Sequence, residues 1–161
     1  MPVSLEALTL TLSGFMSGYD FSGAWVFTPA VAEAPSPLIA KQWKHAWDIG
    51  RIVGKSVVTG SAASFAYLAY GEPVKHGNPR FQQLLSLAAI VIGAIVPFTI
   101  ISSYPFNEAI NKRLGEIDGD IKVGKGSTDL KQLVVDWGRL DFYRTILAIS
   151  GTFIGIFAVL L

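Results

Sequence analysis

The 27 residues from 81 to 107 carry no charged side chain, and about 20 apolar residues are enough for a helix to cross the hydrocarbon of a bilayer. A span over about 82–104 is therefore predicted. The same pattern recurs after Arg144, from where the chain is uncharged to Leu161; with the turn Leu140–Tyr143 in front, this gives a second span over about 140–161. From Ser56 to Gly71 there are 16 uncharged residues. That is short for a crossing unless helix also covers Trp47–Lys55, with Arg51 and Lys55 facing protein or reaching the interface. One helix over about 40–70 is expected. The first segment, Leu5 to Val31, is apolar except for Glu6 and Asp20 and ends at Pro29 and the loop Ala34-Pro35-Ser36-Pro37, giving a span over about 5–31. It does not read as a secretory signal, because no basic residue precedes it and Asp20 interrupts it.

Four spans imply an all-α fold: a membrane-embedded antiparallel four-helix bundle, one domain over 1–161 with a polar loop at 105–138. Composition agrees, since 51% of residues are hydrophobic and 16% charged, against roughly 25–35% charge on a soluble surface. With no cysteine and two histidines, disulfides, thiolate metal sites and histidine-rich metal sites are not expected. The net charge of +1, with basic residues scattered among acids, gives no nucleic-acid footprint. Lys41, Lys44, Lys112, Arg113, Lys122, Lys125 and Lys131 fall on one side of the bundle and Lys75 and Arg80 on the other. The positive-inside rule then places loops one and three in the cytoplasm. Gly14, Gly18 and Ser22, and Gly151 with Gly155, recur every four residues. They read as packing positions for close helix approach, and leave room for homo-oligomers.

Polar residues are few and patterned. Lys41, Lys44, Asp48, Arg51 and Lys55 step by three and four along one stripe of the second helix, beside Trp43, Trp47, Gly50 and Gly54. Trp137, Asp141, Arg144, Ala148, Gly151 and Gly155 repeat the alternation on the fourth, and Thr99, Ser103 and Asn107 share a face of the third beyond an expected kink at Pro97. Antiparallel order brings these stripes to one leaflet. Asp20 lies nine residues before Pro29, about 13 Å deep at 1.5 Å per residue, and a carboxylate at that depth needs a cation. Arg51, Lys55 and Arg144 are the candidates. Plainer roles stand beside these: Trp43 as an interfacial belt residue, Trp137 as belt or site, and Asp48 with Arg51 as a helix pair worth about 0.2–0.5 kcal/mol. No phosphate-binding glycine loop, HExxH or GxSxG pattern is present.

The stretch Val96-Pro-Phe-Thr-Ile-Ile-Ser-Ser-Tyr-Pro-Phe-Asn107 resembles the P-x-T and P-x-N elements of the anthrone oxygenase family of small four-span membrane proteins. Leu133-Val-Val-Asp-Trp-Gly-Arg-Leu-Asp-Phe-Tyr-Arg144 is similar to its W-x3-N-x2-R element, with Asp141 in the Asn position. Gln42-Trp43 through Trp47-x-x-Gly50 is similar to its Q-W…Y-x-x-G element, with Trp47 in the Tyr position. The resemblance implies oxidation of a hydrophobic aromatic polyketide, an anthrone, to an anthraquinone by molecular oxygen, with no cofactor. It also implies a multi-pass protein of the endoplasmic reticulum or another internal membrane in a eukaryote. On this reading Asp20, His45, Asp141 and Arg144 are the catalytic candidates, a carboxylate or His45 taking the proton while Arg144 stabilises the enolate. Trp47, Asp48, Arg51, Thr99, Asn107 and Trp137 are the substrate-binding candidates. A non-enzymatic bundle that binds, shields or transports a hydrophobic molecule, or serves as an assembly subunit, would use the same pocket without a base. A quinone-dependent redox subunit is disfavoured by the lack of cysteines and haem-spaced histidines.

Overall fold

The computed structural model describes residues 4–71, 79–119 and 127–160, all helical apart from short connections. Four helices pack side by side. The first comprises Leu5–Ser22, a π turn at Gly23–Phe27 and Thr28–Ala32. Its start is capped by Ser4, whose hydroxyl accepts from the Ala7 N–H at 3.2 Å. The second is Ser36–Tyr70, entered through Pro37 at a helix-opening position where no N–H is needed. The third comprises Pro79–Gly93, Ile95–Phe98, a π turn at Thr99–Ser103 and Tyr104–Gly119. The fourth is Ser127–Val159.

Contacts along the seams show antiparallel order. On the first and fourth helices Ser17 meets Thr152, Asp20 meets Arg144 and Thr28 meets Gly138. On the second and third, Tyr70 meets Ser86 and Ala62 meets Gly93. Three helical stretches, Leu38–Tyr70, Pro79–Gly115 and Asp129–Val159, are long and apolar enough to cross a membrane. The first helix packs along them, but its hydroxyls, glycines, Glu6 and Asp20 keep it out of that set by composition. Side chains such as Ile52, Ile90, Ile101 and Phe153 are exposed on the outside, where lipid suits them.

The expected polar loop at 105–138 is largely helix. Tyr104–Gly119 continues the third helix and Ser127 already opens the fourth; of the polar insertion that Asp118-Gly-Asp and Gly124-Lys-Gly suggest, residues 120–126 lie outside the described residues, as do residues 72–78 of the short turn expected at Gly71–Pro79. The first helix passes through Pro29 and ends at Ala32, close to the expected 31. It widens into a π turn just before Pro29, and the third does the same just before Pro105. A proline ring collides with the carbonyl four residues back and supplies no N–H; one extra residue in the turn before it relieves the collision without ending the helix.

Two apolar cores sit at opposite ends of the bundle. One contains Met16, Phe65, Leu85, Ile92 and Ala148. The other contains Ile39, Trp43, Ile110, Leu130 and Val134. Trp43 is fully buried in the second core, stacked on Trp47 and edge-on to Trp137, so it is no belt residue. Trp25 is exposed.

The small-residue stripes behave differently from one another. A Cβ at Gly155 would strike the Phe65 ring, and one at Gly138 would strike the buried, branched Thr28. Gly14 and Gly18 face open space, so the first stripe is not packed within the bundle. Gly138→Ala should therefore destabilise the protein by about 1–3 kcal/mol through overpacking, while Gly14→Ala should be neutral or stabilise by up to about 1 kcal/mol. Thermal unfolding of both variants in detergent micelles checks the contrast; equal stability of the two would refute the packing assignment.

Candidate functional site

Between the two cores the helices carry charge. Asp20 on the first helix is 1% exposed, yet its Oδ1 accepts a hydrogen bond of 2.9 Å from the guanidinium of Arg144 on the fourth. The same guanidinium donates from its other terminal nitrogen to Asp141 Oδ1, also at 2.9 Å, one helical turn earlier. Of the three side chains Arg144 is the most accessible, at 15% exposure against 1% for Asp20 and 6% for Asp141. One guanidinium thus serves two buried carboxylates. Asp20 Oδ2 and Arg144 Nε are buried and have no partner among the described residues. Leaving such atoms unsatisfied in a dry interior is costly, and functional sites are where such a cost is tolerated.

Local sequence explains the geometry. The spacing of Asp141 and Arg144 sets them on one face, and Gly23 at the head of the π turn has no Cβ because one there would lie 2.5 Å from Asp141 Oδ2. Likewise Tyr19 reaches over Gly50 of the second helix, where a Cβ would lie 2.6 Å from the phenol oxygen. Glycines at these two points let three helices close around the charges.

All three charged residues line a cavity of about 760 Å³, within the range of small-molecule sites. Its walls include Tyr19, Trp47, Trp137, Thr99, Ser103 and Asn107, with Arg51 and Lys55 from the second helix. Both π turns contribute, through Gly23 and Phe27 and through Thr99, Ile100 and Ser103. Asn107 is 7% exposed and its Oδ1 has no partner among the described residues. The guanidinium of Arg51 lies 5.0 Å from the centre of the Trp47 ring, a cation–π arrangement.

Of the residues singled out from sequence, Asp20, Asp141, Arg144, Trp47, Arg51, Thr99, Asn107 and Trp137 all line this one cavity. Asp48 and His45 do not. Asp48 is a half-exposed partner of Lys44 with Arg51 at 3.8 Å, and His45 is exposed. Among the candidate cations for Asp20, it is Arg144 that binds it. Sequence reasoning missed Tyr19 and Gly23; the one signal available was their position directly before Asp20 and one helical turn after it. Among the described residues no group of three or more His, Asp or Glu side chains is placed to hold a metal ion.

Comparison with known proteins adds the family. Residues 43–154 match the model of the anthrone oxygenase family; this range includes Trp47, Asn107, Trp137, Asp141 and Arg144 and leaves Asp20 outside. An anthrone oxygenase from Claviceps purpurea is 24% identical over 157 residues, covering 96% of this chain and 87% of its own. Anthrone oxygenase AgnL2 of Paecilomyces divaricatus is 23% identical, covering 94% and 93%. Anthrone oxygenase encC of Aspergillus fumigatus is also 23% identical, covering 97% and 92%. No solved structure shows significant similarity to the chain.

Removing Arg144 strands two carboxylates in the interior. Arg144→Met should cost about 3–5 kcal/mol, and adding Asp20→Asn with Asp141→Asn should restore most of it, because no buried charge is then left. Chemical unfolding in detergent measures both; a triple variant no more stable than Arg144→Met would disprove the ion-triad account.

Proposed function

The chain belongs to the anthrone oxygenase family, and on that premise we propose that it oxidises a polyketide anthrone to an anthraquinone with molecular oxygen, by deprotonation and without a cofactor. The observation that carries this reading is the Asp20–Arg144–Asp141 triad set in the wall of a cavity sized for a small molecule. An anthrone's ring methylene is acidic because the anion left behind is an aromatic phenolate. That anion can pass an electron to oxygen directly. A carbon–oxygen bond then forms at the former methylene, giving a peroxide. Loss of water leaves the second carbonyl, so one anthrone and one oxygen molecule become one anthraquinone and one water.

The protein's share is to bind, orient and move one proton. Asp20 is the base in this reading: Arg144 holds its Oδ1, and Oδ2 has no partner among the described residues. Arg144, the most accessible of the three, stabilises the negative charge that develops on the substrate oxygen. Asp141 fixes the guanidinium from the other side and is a positioning residue. Trp47 and Trp137 offer apolar faces to a flat tricycle, and Thr99 and Asn107 offer hydrogen-bonding groups to its oxygen substituents. His45 takes no part.

The chain acts as one multi-pass membrane domain, with its Lys41, Lys44, Lys112, Arg113 and Lys131 end toward the cytoplasm. An internal membrane would present a substrate dissolved in lipid.

Asp20→Asn should lower the enzyme-dependent rate about 10²–10⁴-fold, the usual contribution of a positioned base, and His45→Ala should leave it unchanged. Oxygen uptake and quinone absorbance, followed with an anthrone in air and corrected for spontaneous oxidation, give both numbers. An Asp20→Asn variant at the wild-type rate would remove the base assignment. No uptake above background by the wild type would leave a binding bundle instead.

A further inference from the structure

The second helix packs closely on Pro79–Gly93 and on Tyr104–Gly119 of the third, but no Cα of it comes within 8 Å of the π turn Thr99–Ser103 between them. Cavity-lining residues of the third helix beside this gap are exposed: Ile100 at 64% and Tyr104 at 55%. They are large and mainly apolar, in a stretch of helix composed to cross a membrane.

Two cations stand on the same side. Arg51 and Lys55 line the cavity one helical turn apart. The side chain of Arg51 is 52% exposed, and its nearest carboxylate, Asp48 at 3.8 Å, is already bound by Lys44. Lys55 makes no ion pair with any described residue. Asp20 and Asp141 belong to the first and fourth helices, with one Arg between them whose guanidinium reaches the second helix at Gly54, where a Cβ would lie 3.9 Å from it. A ligand with an acidic end is repelled by these two carboxylates and attracted to Arg51 and Lys55.

We infer that the cavity is filled sideways from the bilayer, between the second and third helices, by a flat aromatic molecule bearing an acidic group, carboxylate or phenolate, that Arg51 and Lys55 hold at the gap. The oxygenase reading supplies the identity of the flat body, and this inference rests on it for that alone. The acidic end sets orientation, so Arg51 and Lys55 are specificity residues.

Binding of two unreactive tricycles, anthraquinone-2-carboxylate and the matching amide, can be followed by quenching of tryptophan fluorescence in phosphatidylcholine vesicles. The wild type should prefer the carboxylate about tenfold, the effect of one hydrogen bond to a charged group. Arg51→Gln with Lys55→Gln should erase the preference, and Lys41→Gln, at an exposed position outside the cavity, should keep it. Stopped-flow association should slow in Ile100→Trp and not in Ile90→Trp, whose side chain is exposed away from the cavity. A wild type without preference, a preference that survives the double variant, or equal association rates in the two tryptophan variants would overturn the inference. So would a preference that collapses when phosphatidylglycerol is added, because the cations then belong to lipid headgroups. None of these readouts needs oxidation: preference without anthrone turnover refutes only the oxygenase reading, and turnover without preference refutes only this one.

Discussion

One guanidinium held between two carboxylates is the constraint around which the helices are arranged. Arg144 ties the fourth helix to the first through Asp20, and Asp141 holds it from within its own helix. In a low-dielectric interior such charges are tolerated only when each has its partner. The first and fourth helices must therefore meet in one register. Seam contacts on both sides of the ion triad, Ser17 with Thr152 and Thr28 with Gly138, keep that register.

The triad also divides the interior. One apolar core lies on the uncharged side, the other on the side of the flanking lysines and arginines. The second helix, at 35 residues, is about 52 Å long against about 30 Å of hydrocarbon. A good part of it, with its neighbours, must stand outside the hydrocarbon. Pairs such as Arg113 with Asp129 and Arg139 with Asp136, on exposed faces of the third and fourth helices, suit that position. The core containing Trp43 can then resemble that of a soluble bundle, while the other core is wrapped in lipid.

Much of this was legible in the sequence, because the cost of charge in lipid is severe and leaves a visible pattern. The uncharged runs located three of the helices, and the three-and-four spacing of polar residues on the second, third and fourth anticipated one pocket. Asp20 stood out by its depth alone. Helix ends were less legible, because outside the hydrocarbon a polar sequence can be loop or solvated helix, and the stretch after Tyr104 is the latter. Trp43 was misjudged because tryptophan suits an interface and a protein core equally well; only the positions of Trp47 and Trp137 decide. The side chains of Asp48 and His45 turn away from the cavity for a rotational reason: one residue along a helix is a change of about 100°, and a stripe that broad has edges that point outward.

Buried positions step by eight residues across each π turn, from Asp20 to Thr28 and from Ile95 to Ser103, with no fully buried residue between. A regular helix would carry the second member of each pair round by most of a quarter-turn; the surplus residue in the wide turn brings it back to the same face. Each π turn is thus one residue of extra chain, anchored by a proline. Deleting a single residue from either would re-aim every side chain beyond it, even if all the cavity's side chains were kept. The cavity is specified by the length of two segments as much as by the identity of its walls, and a relative can keep every wall residue yet lose the cavity by a gap of one.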